Sequence, residues 1–420
     1  MIFQVYTLLY YIITGILFPK EFFKRSSPLR RKWLRNKWGL FERKKWFPHQ
    51  KLIWIHAVSV GEVMGISKLI EKLSQKYNLL ISTITDTGQK VALEKFKNLP
   101  VEVIYLPFDC PFAIKRTLKA FNPSALLITE TEIWPNLILT TSKRIPVFLI
   151  NARLSDKSFK KYKVIKFFIA PLIKNFSLIA TQDEEYKKKF EALGAISEKI
   201  VVVGNTKFDI DIPFISFSWE NLISKPVVIA GSTHFPEEKL ISEVFLKIPY
   251  SGSLFIAPRH PERYIEVENT IKELIKNKKK VLFYKLSEIS NPDFTEDISR
   301  FFKLIILVDQ IGILAPLYRI CDIAIIGGSF IPHGGQNPLE AIYWKKPVIF
   351  GPFMENFPFV KEFLEKKACI QTSLDNLANI LETFIKDENL RMEMGEKAYK
   401  LLEEKRGATD KILELISLYL

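Results

Sequence analysis

Cysteine is scarce: Cys110, Cys321 and Cys369 are the only three in 420 residues, far apart and odd in number. That argues against a disulfide framework and fits a reducing compartment. The five histidines show no metal-ligand spacing, so a histidine-built metal site is not expected. No zinc spacing, RNA-binding motif, short internal repeat or low-complexity segment occurs. Charge is absent from residues 1–18, and acid is nearly absent from residues 1–50, which hold eleven Lys or Arg against two Glu. Of the net charge of +15, +9 therefore lies in the first 50 residues and +6 in the other 370. Basicity is an N-terminal property and not a face spread over the protein, so no nucleic-acid partner is expected.

The uncharged run MIFQVYTLLYYIITGILF ends at Pro19. At about 1.5 Å per residue it reaches about 27 Å as a helix, slightly short of a hydrocarbon core. Lys20, Lys24, Arg25, Arg30, Arg31, Lys32, Arg35 and Lys37 follow, interleaved with Phe22, Phe23, Trp33 and Trp38. A signal peptide has the opposite order, with its positive charge first. Residues 1–38 are therefore expected to form a retained membrane anchor whose basic flank meets anionic lipid on the cytoplasmic side. Whether the run spans the bilayer or lies in its interface is left open. A buried core helix is the alternative.

From Leu52 onward, apolar β-rich runs alternate with helical patterns, which implies parallel sheets covered on both faces. Strands are expected at 52–57, 79–84, 101–106, 125–129, 147–151, 177–181 and 201–204. The rhythm breaks over 208–226, then resumes with strands at 227–230, 254–257, 280–284, 304–308, 322–326 and 347–350. The expected organisation is an anchor (1–38), a Rossmann-like domain (39–207), a linker (208–226) and a second Rossmann-like domain (227–420). Two such α/β domains facing across a cleft would present strand C-termini to a ligand.

Several strand ends carry chemistry. The richest stretch is DIAIIGGSFIPHGGQNPLEAIYWK, residues 322–345: a strand, the pairs Gly327-Gly328 and Gly334-Gly335, then Asn337-Pro338-Leu339-Glu340 opening a helix. Glycines let backbone N–H groups approach a ligand, and a helix start suits a phosphate. Glu340 is placed to reach a ribose hydroxyl. Ser232, in AGSTH, suits a phosphate as well. Arg259, after the next strand, is a permanently charged partner for a leaving phosphate, whereas Arg263 reads as a surface arginine. In the first domain, HAVSVGE puts Gly61 at a tight turn and Glu62 at a helix start. Glu62 can be a general base or an acid that merely complements the helix dipole. Thr85 and Thr87, in ITDTG, can hold an acceptor phosphate or cap a helix, and the cap is favoured. Glu130 and Glu132 can be catalytic, can bind sugar, or can support their neighbours. Asp209 and Asp211 have the spacing of a metal-binding Asp-x-Asp but fall in the linker, where they are expected to be solvated. No metal or other cofactor is expected.

Taken together, HAVSVGE, ITDTG, FDCPFAIKRTLKAFNPSALLITETEIWPNLI, NARLSDKSFKKY, GNTKFD, AGSTH, PRHPER, GGSF…GGQNPLEA and FGPFMENF occur in an order and spacing that resembles the lipopolysaccharide 3-deoxy-D-manno-octulosonic acid (Kdo) transferases. The resemblance covers nearly the whole chain. It implies a GT-B glycosyltransferase fold, an inverting reaction, CMP-Kdo as donor and a lipid A precursor as acceptor, at the bacterial inner membrane with cytoplasmic catalytic domains. Carried over by motif, it implies that Glu62 is the catalytic base. It likewise implies that Pro258, Arg259, Ile311, Gly312, Ile313, Asn337, Pro338, Leu339 and Glu340 bind CMP. Two departures stand out: Ile313 replaces a usual Glu, and Gln336 replaces a common His. The competing readings are a UDP-sugar enzyme of the same fold, such as a lipid-A-disaccharide synthase or a 2-epimerase, and a membrane-bound nucleotide sensor.

Overall fold

The protein is described by a computed structural model that covers residues 2–41, 50–291 and 302–420. It divides into two compact units: Met1–Asp209 with Lys405–Leu420, and Ile210–Glu404.

The first unit is built on seven parallel strands: β1 (Leu52–His56), β2 (Asn78–Thr83), β3 (Val101–Tyr105), β4 (Ala125–Thr129), β5 (Val147–Ala152), β6 (Leu178–Thr181) and β7 (Ile200–Val202), in the order β3-β2-β1-β4-β5-β6-β7. Successive side chains on a strand point to opposite faces, so a continuous apolar run feeds two layers at once. In β1, Leu52 and Trp54 join one core cluster with Leu80, Leu126 and Ile128. Ile53 and Ile55 join the other with Leu79, Ile81 and Leu127.

The second unit repeats the plan with β8 (Val227–Thr233), β9 (Gly252–Pro258), β10 (Val281–Lys285), β11 (Lys303–Leu307), β12 (Ile323–Ile326), β13 (Val348–Phe350) and β14 (Ile370–Gln371), ordered β10-β11-β9-β8-β12-β13-β14. The two-residue edge strand β14 is too short to leave a periodic signal and was not expected from the sequence.

Two boundaries and the burial of one acid differ from the sequence reading. Residues 210–226 belong to the second unit and are fastened to it: Trp219 is buried and stacks on Phe255 at 5.8 Å, and the Arg319 guanidinium donates to the Ile215 carbonyl at 3.0 Å. The final helix, Ala408–Ser417, belongs to the first unit, because Ile412 and Ile416 complete its core beside Val203. Asp209 is buried rather than solvated. Its carboxylate accepts from the Gly407 and Thr409 N–H groups, each at 2.6 Å, and so satisfies donors at the start of that helix.

Among the described residues, one helix is long and apolar enough to cross a membrane: α1 (Ile2–Phe23), which runs through Pro19 instead of ending there. A second helix, α2 (Ser27–Lys37), is partly built into the first unit. Trp33 packs with Tyr105, Phe108, Cys110 and Ala113, and the Asn36 Oδ1 accepts from the Tyr105 N–H at 3.0 Å. The basic flank is thus not wholly available to lipid. Arg25 is buried and pairs with Asp86 at 2.9 Å, and burial pushes the Lys37 ammonium down to about 8. Lys20, Lys24 and Arg31 remain exposed.

Candidate active site

In the first unit, the loop after β1 enters the short helix α3 (Val60–Gly65), with Glu62 in its first turn. Gly61 lies within that turn and takes no left-handed φ, so the expected tight turn is a helix start instead. The Glu62 carboxylate is fixed on one side. Its Oε2 accepts from the Val58 N–H at 2.9 Å and the Thr129 hydroxyl at 2.6 Å. Oε1 has only a long contact, 3.4 Å, from the Ser59 hydroxyl. Burial raises the Glu62 pKa, and the Thr129 bond is the largest influence opposing it. An oriented carboxylate that holds a proton more readily than usual and keeps one oxygen lightly engaged has the properties of a general base.

Two more acids from the loop after β4 share this region. Glu130 sits at φ 55°, an unusual backbone for a side chain larger than glycine, and its carboxylate pairs with Arg153 at 2.6 Å and Lys207 at 3.7 Å. Glu132 accepts from the Trp134 indole N–H at 2.8 Å and is pushed up to about 7, first by burial and next by the Glu62 charge. Glu130 is held by two ion pairs and Glu132 by the Trp134 indole, while Glu62 is oriented through Oε2 and keeps Oε1 lightly engaged. The sequence singled out neither Arg153 nor Lys207, although NARLS and GNTKFD both stood in the matched set.

Thr85 does what the cap reading expected. Its hydroxyl accepts from the Gly88 N–H at 3.0 Å and starts the helix Asp86–Lys95. Thr87 is exposed beside it and donates to Thr85 at 3.4 Å. Gly88 is required there, since a Cβ would lie 2.8 Å from the Thr85 Oγ1 and 3.3 Å from the Ser59 carbonyl carbon. An open cavity of about 520 Å³ adjoins this helix, lined in part by Leu29, Thr87, Leu93 and Tyr105.

In the second unit, Pro258 ends β9 and Arg259 follows with an exposed guanidinium. Arg263, read as a surface arginine, is instead partly buried, with its side chain 17% exposed and paired with buried Glu238 at 2.7 Å and with Glu266 at 2.9 Å. Ile311 is 81% exposed on the loop before Ile313, with Gly312 at φ 82°. Burial pushes Glu340 up to about 7, and the Arg259 charge opposes that rise.

The glycine loop works differently from the sequence expectation. Gly328, Gly334 and Gly335 take positive φ, and Gly327 has no room for a Cβ, which would sit 2.5 Å from the Ser232 carbonyl oxygen. Their amides, however, are largely used inside the protein. Gly327 N–H donates to the Gly231 carbonyl and Gly335 N–H to the Gly328 carbonyl, each at 2.8 Å. Buried Glu237 accepts from the N–H groups of Gly328 at 2.6 Å, Phe330 at 3.0 Å and His234 at 2.9 Å. Asn337 Oδ1 takes the Leu339 N–H at 3.2 Å, at the start of a helix of only five residues, Leu339–Tyr343, with Pro338 at its cap. The loop is a shaped wall more than an array of free donors, and the Arg259 charge is felt by Glu340 at the start of the following helix. Ser232, at φ 56°, bends the end of β8 beside it. Next to this wall, His234 lies 4.0 Å from His333 ring to ring, and its Nε2 is 3.1 Å from the Gln336 amide nitrogen. Burial and the surrounding positive charge push His234 down to about 4, so it is neutral at pH 7.

Residues 32–210 match the family described as 3-deoxy-D-manno-octulosonic-acid transferase (kdotransferase). The 3-deoxy-D-manno-octulosonic acid transferase of Haemophilus influenzae is 35% identical over 413 residues, covering 94% of this chain and 93% of that protein. The chain belongs to the Kdo transferase family. A bifunctional glycosyltransferase/methyltransferase of Fusobacterium nucleatum is also 35% identical, and this Kdo-transferase-family chain spans 53% of its length. Among solved structures, the UDP-GlcNAc 2-epimerase of Neisseria meningitidis bound to UDP-GlcNAc has a TM-score of 0.55 at 15% identity, over 87% of this chain and 99% of the epimerase. That likeness extends to the fold alone, which is of the GT-B class.

Proposed function

We propose that the protein is an inverting glycosyltransferase that moves Kdo from CMP-Kdo to a hydroxyl of a lipid A precursor. The similarity to a Kdo transferase along almost the full length of both chains carries this reading. Glu62 takes the proton of the acceptor hydroxyl. The hydroxyl oxygen bonds to the anomeric carbon of Kdo while the bond from that carbon to the phosphate oxygen breaks, and CMP departs with the electron pair. In-line displacement inverts the anomeric centre. Phosphate is a weakly basic leaving group, so no general acid is required. Arg259 neutralises the departing charge, Glu340 holds the ribose, and the loop of Gly327, Gly328, Gly334 and Gly335 shapes the donor pocket. Incubation with CMP-Kdo and lipid A precursor, with mass spectrometry counting added Kdo units, tests the reaction. Transfer from UDP-sugars in place of CMP-Kdo overturns it in favour of another enzyme of this fold. CMP binding without any transfer favours a sensor.

Arg259→Ala is expected to weaken CMP more than about tenfold, the loss of a charge-assisted phosphate contact of about 1.5–3 kcal/mol. Cytidine, which has no phosphate, should bind nearly as before. Calorimetry with both ligands checks this, and equal loss for cytidine removes Arg259 from the phosphate.

Thr129→Val is expected to move the acid limb of the pH–rate profile to higher pH. The Thr129 hydroxyl stabilises ionised Glu62, so deleting it raises the Glu62 pKa, and the ionised form is the base. Thr129→Ser should restore the wild-type limb.

We further propose that transfer needs no divalent metal, since Asp209, half of the only Asp-x-Asp pair, is committed to the final helix. Turnover is expected to survive excess EDTA. Loss restored by magnesium or manganese overturns this.

The protein is proposed to sit on the bacterial inner membrane with its catalytic units in the cytoplasm, where a nucleotide-sugar donor is available.

A further inference from the structure

α1 is not a free-standing anchor. Its half-buried residues are Phe3, Tyr6, Thr7, Tyr10, Thr14, Phe18, Glu21 and Phe22, and they recur at three- to four-residue steps along the whole helix. That stripe lies on the first unit. Tyr6 Oη donates to the Asp109 carboxylate at 2.8 Å, and Tyr10 Oη accepts from the Asp109 N–H at 3.0 Å. Thr7 Oγ1 donates to Asn136 Oδ1 at 3.1 Å. The Phe3 and Tyr6 rings lie 5.1 and 5.9 Å from Phe168, and Phe18 packs on Trp33 at 5.9 Å. Contact is therefore continuous over a helix about 33 Å long. The opposite face carries Val5, Leu8, Leu9, Ile12 and Ile16, each at least half exposed. Were α1 to cross a bilayer, the polar surface it covers, Asp109 included, would have to enter the hydrocarbon with it, at high cost.

A second apolar surface continues from it. The helices Asp156–Val164 and Lys166–Ile173 meet at Ile165. Beside Phe168, which touches α1, this corner exposes Val164 (79%), Ile165 (39%) and Phe167 (69%). Lys157, Lys160, Lys161, Lys163 and Lys166 are exposed around it. Aliphatic and aromatic tips ringed by lysine suit the headgroup boundary of an anionic bilayer.

We propose that α1 lies in the plane of the membrane, docked lengthwise on the first unit, and that the corner at Val164–Phe167 is a second contact with the anionic bilayer surface. This rests on the membrane association proposed above but not on the reaction or on which side the protein occupies.

The three natural cysteines are buried, so single reporters can be read against a low background. Ile2→Cys and, separately, Lys411→Cys in the full chain are labelled with a membrane-impermeant maleimide, in intact cells and in inverted vesicles. In-plane binding puts both reporters on the same side of the membrane, whichever side that is. Labelling from opposite sides shows that α1 crosses and overturns the orientation. The second arm measures co-sedimentation with vesicles of phosphatidylglycerol and phosphatidylcholine. Val164→Asp with Phe167→Asp is expected to lower partitioning about tenfold or more, through lost apolar insertion and added negative charge. Lys160→Glu with Lys163→Glu should lower it about fivefold or more for each lysine, an effect that fades at high salt. Both variants alter exposed side chains, and an unchanged melting transition verifies that they fold. Wild-type partitioning in the folded variants overturns the second contact.

Discussion

Glu62→Gln is expected to lower turnover at saturating donor by at least about 100-fold, the usual minimum contribution of general base catalysis, and to leave CMP affinity unchanged. The substitution is nearly isosteric. The amide oxygen can still accept from Val58 N–H and Thr129, which together hold Oε2, so the helix start should stay in place. What is lost is the capacity to accept a proton. CMP affinity should not respond, because Glu62 lies in the first unit and every residue assigned to CMP lies in the second. Single-turnover transfer and calorimetry with CMP separate the two effects. A variant with more than about a tenth of wild-type turnover would remove Glu62 from the base role. Glu132→Gln is the informative companion, since Glu132 is the neighbouring acid held up near 7. If Glu132→Gln costs as much as Glu62→Gln while CMP binding persists, the base function is shared.

The fold was legible because both sheets are parallel and buried on both faces. Such strands are written as unbroken apolar runs, and LIWIH, ALLIT and VFLINA need no partner sequence to be recognised. The strand that escaped notice, β14, has two residues and an exposed Gln371. Domain bounds were less legible, because a segment with no period can still be buried: Trp219 and Ile223 hold 210–226 to the second unit without helix or strand rhythm. The return of residues 405–420 to the first unit is a long-range event that no local pattern encodes. At the site, motif position correctly isolated the strand ends but could not assign hydrogen bonds. GGSF and GGQN read as ligand-facing amides. In the structure Gly327 lies so close to the Ser232 backbone that a Cβ would sit 2.5 Å from its carbonyl oxygen, and the loop's N–H groups close on Glu237 and neighbouring carbonyls. Glu237 itself lies in an acidic stretch, HFPEEKL, that reads as an ordinary helix start.

Glu237→Ala is accordingly expected to be the most disruptive single change in the second unit. The Glu237 side chain is fully buried and is the acceptor for three backbone N–H groups, of His234, Gly328 and Phe330. Alanine strands all three. Each buried donor left without a partner costs about 1–3 kcal/mol, so the unit should lose about 3 kcal/mol or more, reduced to the extent that water enters the gap. Glu237→Gln should be intermediate: one amide oxygen remains an acceptor, but the amide nitrogen must face an N–H group it cannot accept. The sign with pH follows from the raised Glu237 pKa. A carboxyl raised by burial favours its protonated form in the folded state, so its ionisation weakens the fold as pH rises past the unfolded value, and Glu237→Gln should flatten that dependence. The decisive measurement is local. In the wild type, the Gly328 and Phe330 amides should be among the slower to exchange with deuterium; in Glu237→Ala they should exchange many times faster, and CMP should bind more weakly because the loop joining β12 to Asn337 has lost its anchor. If those two amides stay protected in Glu237→Ala, the carboxylate is not what holds them, and the glycine loop must be fixed by its backbone packing against Ser232 and Thr233 alone.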